Sequence, residues 1–540
     1  MQQPIRKIAS KLGEGSAHFY THHSIELALR EADVKFFTNG EPVIRKDSSG
    51  KMMRTSDGRP VVETTPRVLD WVYFGNWLRD NSQLCTAATY SVVRRATIGL
   101  TPVAGATMDP RSVLTAYVEH DAKKKSKNGK FDFSKIQVAP LHKRVLGVYR
   151  PEEHVDNPKG LKDDSKVDQD FRGTVLALEH DIDAATGLKN YIANTTLIAS
   201  NRGDRKERGT TAEYIEEQLR DAAIADAPNR YRLLGQALHP LEDLYAHSNF
   251  IELMLIRLGH ADVFPWVGPK AKIKVAKDER YPMVTGVFGH LDEIYSLLSA
   301  MGESLNAPLE CKGGMFTNRS ITALGSYAGS LVHEGIMLSK GVLTESKFVD
   351  FVTESVGIAQ DWVKCKLAAD LREILGTVGK LEKDFFKDFD NSSITDPTHS
   401  MISKDHPDNP LHTVAAKCAR IAIKHVGAAM RDVWKNQKPV EHAINVAKSF
   451  FVHPNDLIDI GNDPRSLLVL EILHFAKTNQ MIVKSLGRTQ SRERFESTAE
   501  LEQKKLSLRL HEWSPHDDET QRRMIAMIPE LARLSQSGAG

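Results

Sequence analysis

Apolar residues recur every three to four positions over 17–32, 66–95, 211–258, 287–301, 318–340, 345–386, 411–436 and 465–485, whereas period-two alternation is scarce. This spacing predicts an all-α chain. Segments rich in Gly, Pro, Asp, Asn and Lys separate the helices, notably 40–65, 104–115 and the stretch from Asp121 to Lys130. Loops longer than about 15 residues are unusual in a compact domain unless they shape a site. The lysine run within 123–130 reads as a solvated loop. The turn signals Pro454-Asn-Asp and Gly461-Asn-Asp-Pro break the pattern, which predicts a main domain over 1–455 and a helical C-terminal extension over 456–540.

The composition is that of a globular protein: 41% hydrophobic and 26% charged residues over 540 positions, long enough to bury a large core without staples. A net charge of +2 argues against a nucleic-acid wrapper. Cys85, Cys311, Cys365 and Cys418 lie far apart, without metal or disulfide spacing. The start carries no apolar run of the kind a secretory signal needs, and stretches such as Phe250–Arg257 are interrupted by charge well short of the roughly 20 residues that span a bilayer. The expectation is a protein without a membrane span, cytoplasmic or exported by a non-classical route.

In His239-x-x-x-Asp243-x-x-x-His247 three metal-ligand residue types fall four apart, on one face of a helix. Imidazole and carboxylate are the donors a catalytic zinc prefers, and Asp243 between two histidines can bridge two ions. Pro240 stands where a helix should start. The bland alternative is two half-buried histidines and a surface Asp. Three further donors stand out: His22 beside His23 at the opening of a helix, Asp80 at the end of an aromatic-rich helix, and His154 in the turn-like Arg150-Pro-Glu-Glu-His-Val-Asp-Asn-Pro158. A surface salt bridge would explain Asp80 equally well. The segment from His399 through Asp405, His406 and Asp408 to His412 concentrates histidines and aspartates in a loop, with His399 or His406 as donors. His260, His290 and His333 lie on apolar stretches and read as packing residues.

Taken jointly, the blocks Tyr73–Asp80, Tyr149–Pro158, Gly187–Asn194, His239–Phe250 and Pro397–His406 resemble the Het-C family, named for the fungal heterokaryon-incompatibility protein. The resemblance spans roughly 10–455. The His-x-x-x-Asp element is in turn similar to that of the zinc-dependent phospholipase C and single-strand nuclease superfamily, which implies a multi-helix domain of that type holding two to three divalent ions. On that resemblance His22, Asp80, His154, His239 and Asp243 are ligands, Asp80 doubles as general base, and His247 serves the neighbouring ion. Those enzymes complete a third position with an N-terminal tryptophan, for which this chain has no counterpart. A downstream His-x-x-x-Glu or His-x-x-x-Asp pair is also missing, so Glu252, His399 and His406 stand in as ligands.

The function so implied is a zinc-dependent phosphodiesterase, with Asp80, His239 and Asp243 as catalytic residues, acting on phospholipid at a membrane surface as a cytotoxic effector. A dedicated inhibitor would then be its partner, and nucleic acid would not. The alternatives are a single-strand nuclease, or a non-enzymatic toxin or interaction protein with a structural metal.

Overall fold

A computed structural model describes residues 22–38, 42–44, most of 52–87, isolated positions between 90 and 118, 143–202, 209–288, and, with short gaps, 385–496. The helices expected over 287–301, 318–340 and 345–386 fall wholly or largely outside these residues, as do the lysine run and His406. The described part is mostly helical, with two small antiparallel hairpins: β1 (Pro42–Ile44) with β2 (Val62–Thr64), and β3 (Ile273–Val275) with β4 (Asp278–Arg280). Among the described residues no helix is long and apolar enough to cross a membrane. Cys85 and Cys418 are buried free thiols.

The short helix α1 (His22–Glu26) precedes α2 (Val68–Ser82), which is buried on nearly every side. A helix with that profile belongs at the centre of a fold. The periodic stretch 211–258 resolves into α3 (Thr211–Ile224), α4 (Asn229–His247) and α5 (Phe250–Arg257). The Thr210 hydroxyl accepts the Glu213 N–H while Glu213 accepts the Thr210 N–H, a reciprocal cap that fixes where α3 starts. Pro240 does not start a helix as the sequence suggested; it lies inside α4, which begins at Asn229 after Pro228. An internal proline forfeits one backbone hydrogen bond. Burial offsets that loss, since Leu234, Leu238, Leu241 and Leu244 are fully buried and each such side chain contributes about 1.5–3 kcal/mol.

Two glycines set the distance between α2 and α4. A Cβ on Gly75 would stand 1.9 Å from the Arg232 carbonyl oxygen, and one on Gly235 would stand 1.9 Å from that of Val72. The helices therefore touch backbone to backbone, which brings Asn76 and Asp80 of α2 beside His239 and Asp243 of α4.

Three more elements frame this pair. The single turn α6 (His399–Ile402) is backed by a small separate core of Phe264, Phe385, Phe386, Met401 and Ile402. The long α7 (His412–Trp434) packs on α4 and on α8 (Val440–Ser449). Beyond residue 456, α9 (Ser466–Thr478) buries Leu468, Ile472 and Phe475 in the same core as α4 and α7, and α10 (Gln480–Lys484) follows it.

Candidate metal centre

The four-residue spacing on α4 turns His239, Asp243 and His247 to its buried side, none more than 4% exposed. The hydrogen bonds around His239 and His154 fix which ring nitrogen carries a proton. His239 Nδ1 lies 3.0 Å from Asn76 Oδ1, an acceptor, so Nδ1 bears the hydrogen and Nε2 is left as a lone pair. His154 Nε2 lies 3.2 Å from Ser82 Oγ, whose own hydrogen goes to the Arg79 carbonyl at 2.7 Å. Ser82 therefore accepts from Nε2–H, and His154 Nδ1 is the bare nitrogen. The two lone pairs face each other at 2.9 Å.

Asp243 Oδ2 joins them, 3.1 Å from His239 Nε2 and 3.7 Å from His154 Nδ1, and this buried oxygen accepts no well-formed hydrogen bond. The Gln83 amide can donate to His154 Nδ1 from 3.3 Å, and the three facing atoms make a nitrogen and oxygen donor set that suits a cation. Two donors each about 2.0–2.1 Å from one tetrahedral ion stand about 3.3 Å apart, which the three separations bracket. The residues therefore fit a metal ion.

The other oxygen of Asp243 faces His22. His22 donates from Nδ1 to Glu242 Oε2 at 2.6 Å, which turns Nε2 toward Asp80 Oδ1 at 3.5 Å and Asp243 Oδ1 at 3.8 Å. His22, His239 and Asp243 thus form one group able to hold a metal ion, and Asp243 presents a separate oxygen on each side, as a bridging carboxylate does. Asp156, His247 and His399 form a second such group. In it His399 Nδ1 is 3.1 Å from Asp156 Oδ1, and Tyr149 donates its hydroxyl to the other Asp156 oxygen at 3.0 Å. His247 Nε2 is held by Asp405 at 2.5 Å, leaving Nδ1 without a hydrogen-bond partner and 3.8 Å from Asp243 Oδ2.

Burial would lower the pKa of His22, but Asp80, Glu242 and Asp243 reverse this and hold it well above the ordinary histidine value. The same contest, won by Asp405 and Asp243, raises His247 to about 10. For His154 burial wins and its pKa is lowered, so it is neutral at physiological pH. Asp243 is depressed well below the usual carboxylate range because His239 and His247 outweigh its burial. Behind His22, burial and the neighbouring Glu242 push Glu26 well up, against the opposing pull of His22 and Asn76.

Of the residues expected from sequence, His22, Asp80, His154, His239, Asp243, His247 and His399 converge. Glu252 does not. Its carboxylate meets the buried Lys404 Nζ at 3.0 Å, so it serves as a counter-ion rather than a ligand. His406 lies outside the described residues. His260, read from sequence as a packing residue, is half-buried and outside the core. Asp156, Asn76, Glu242 and Asp405 were missed as site residues. Asp156 had a usable signal, because it stands two residues after His154. The intervening Val155 has φ of 56°, a conformation β-branched residues rarely adopt, and it separates two residues that both face inward.

The family described as heterokaryon incompatibility protein Het-C matches residues 136–308 and 363–501, more than half of the chain. The chain belongs to the Het-C family. In this Het-C chain the matched stretches contain His154, Asp156, His239, Asp243, His247, His399 and Asp405, whereas His22 and Asp80 lie before them. The match runs past 455, through α9 and α10 of the Het-C chain, to residue 501. No curated protein matches it, and neither does any solved structure.

Proposed function

We propose that this protein is a zinc-dependent phosphodiesterase of phospholipase C type that acts on membrane phospholipid. The observation that carries the reading is Asp243, a buried carboxylate with one oxygen toward His22 and the other toward His239 and His154. Asp243 so placed would help to hold ions beside His22 on one side and beside His239 and His154 on the other, and such ions would supply the charge stabilisation that attacking and leaving oxygens need at phosphorus. Zinc in such a nitrogen and oxygen donor set supplies a Lewis acid for a phosphoryl group and a nucleophile at neutral pH.

The chain's own residues would divide the remaining work. Asn76 and Ser82 fix the tautomers of His239 and His154, so that each of these rings meets the centre with a bare nitrogen, and Glu242 holds His22 by Nδ1 so that Nε2 is the atom turned to the centre. Asp80 is the most exposed of the first group, its side chain 16% accessible, which suits it to take a proton from an attacking water. A small cavity bordered by His22, Asp243, Asp405 and His412 gives water a place beside these groups.

The test is elemental analysis of the purified full chain, together with release of water-soluble phosphate from phospholipid vesicles by wild type and Asp243→Ala. Two or more zinc equivalents, with release abolished by the substitution and by chelation, is the expected result. Bound metal with no hydrolysis of lipid would overturn the phospholipase reading. A single-stranded oligonucleotide cut instead would make the protein a nuclease, and no substrate cut would leave a structural metal.

A further inference from the structure

The last described stretch combines cations with exposed aliphatic side chains. On α9, Leu467, Leu470, His474 and Lys477 follow one another at helical spacing and all are exposed, with Leu467 44% and Leu470 57% accessible. The stripe continues on α10 with Met481, 86% accessible, and the exposed Lys484. From Lys477 to Arg494 the basic residues are Lys477, Lys484, Arg488, Arg492 and Arg494, against the single acid Glu493, in a chain whose net charge is only +2. Arg488 pairs with the exposed Asp390, and Arg492 with Glu496 at 2.8 Å. Exposed pairs of this kind hold weakly and yield to a stronger counter-charge. Lys477 and Lys484 have no ion-pair partner among the described residues.

This stripe lies at the metal-centre end of the molecule. Glu471 of α9 pairs with Lys417 of α7 at 2.7 Å, while Asp463, just before α9, acts electrostatically on His425 further along α7. The two helices therefore run antiparallel, and α9 ends level with the start of α7, where His412 borders the cavity beside Asp243. Leu486 accepts the Phe264 N–H at 2.9 Å, and Phe264 shares a core with Met401 and Ile402 of α6, the turn that carries His399.

We propose that the surface formed by α9, α10 and the helical residues 488–496 docks onto an anionic phospholipid membrane, with Leu470 and Met481 entering the lipid and Lys477 and Lys484 meeting its headgroups. The choice of partner rests on the lipid reading of the metal centre; the binding itself needs no hydrolysis. Exposed aliphatics beside lysines fit a membrane interface, where apolar insertion and attraction to anionic lipid add. A nucleic-acid surface would instead be expected to pair its cations with aromatic stacking platforms, and the exposed apolar residues of this stripe are Leu and Met.

The experiment is co-sedimentation of the full-length protein with vesicles of phosphatidylglycerol and phosphatidylcholine, or of phosphatidylcholine alone. Wild type is compared with the charge-reversed K477E/K484E and with L470S/M481S. All four positions are exposed, and unchanged thermal melting checks that the variants fold. Wild type is expected to prefer the anionic vesicles by about ten-fold or more, lost in high salt. K477E/K484E should bind them at least about 30-fold less, since losing two cations alone removes about a five-fold factor each and the new carboxylates add repulsion, and L470S/M481S should bind both vesicle types less. Wild-type binding to neither vesicle, or equal binding by the variants, overturns the proposal. So does binding to a single-stranded oligonucleotide that depends on these residues in place of vesicle binding. Hydrolysis of a soluble short-chain phospholipid separates the two readings. Its absence with vesicle binding intact removes the phospholipase reading and leaves the docking surface standing.

Discussion

The two ligand groups are built differently. His22, His154, His239 and Asp243, with Asp80, gather around a helix pair whose spacing is fixed by backbone contact at Gly75 and Gly235. Asp156, His247 and His399 draw only His247 from a long helix; Asp156 follows a strained turn residue, and His399 opens a single helical turn. The first group inherits its geometry from helix packing. The second depends on local side-chain ties, Asp405 to His247 and Lys404 to Glu252 and the Ser248 carbonyl.

The largest effect should come from removing the contact that makes the helix pair. Gly75→Ala or Gly235→Ala forces a methyl group against a carbonyl oxygen and should cost about 3 kcal/mol or more in denaturant unfolding, with metal lost from both groups. A loss under about 1 kcal/mol would mean that something other than this contact sets the helix spacing. Next in size is the contrast between shared and private ligands. Asp243→Ala takes away the oxygens shared between His22 and the His239–His154 pair and should empty the first group, whereas Asp156→Asn should lower the stoichiometry by one and spare His22, His154 and His239. Equal losses in elemental analysis would mean that the groups act as one site.

A smaller effect is read through pH at a buried histidine outside both groups. His453 donates from Nε2 to the Tyr281 carbonyl at 2.9 Å, while its Nδ1 accepts the Asn455 N–H at 3.2 Å, so the folded protein holds it neutral. Burial pushes its pKa down to about 4, below the unfolded value near 6.5. The unfolded chain binds the proton first, so this contribution is present above pH 6.5 and is lost as pH falls toward 4. It amounts to about 3 kcal/mol, and a His453→Gln variant should show a correspondingly flatter loss of stability in acid. The smallest effect is Glu242→Gln, which loosens the tie on His22 and should weaken one ion by roughly ten- to hundred-fold in chelator competition while the other ions hold. Restoration of full occupancy by excess zinc, with the visible spectrum of the cobalt form altered, would identify a positioning role.

How far the sequence could be read follows the same division. The spacing of His239, Asp243 and His247 needs only a helix to become one buried stripe, so it was legible; Asp80 and His154 lay within the matching blocks, and His22 came from the adjacent histidines and the superfamily resemblance. The position of Pro240 misled, because buried leucines on both sides of it carry α4 through a residue that ordinarily marks a start. Glu252 misled for another reason: its partner Lys404 is 152 residues away, and no local pattern reports a pairing made by tertiary folding. Asp156 and Asp405 were similarly hidden, each standing beside a named histidine yet serving one from a distant segment. Gly75 lay within a quoted block, but its role depends on Arg232 lying opposite, which a single helix does not reveal.

The wide separation of the ligands along the chain also bears on synthesis. The centre draws on residues from His22 to Asp405, and at roughly 5–20 residues per second the ribosome takes about 20–80 s to pass from the first to the last. A nascent or truncated chain that stops before His399 lacks a donor of the second group, so the full donor set exists only once about four hundred residues have been made.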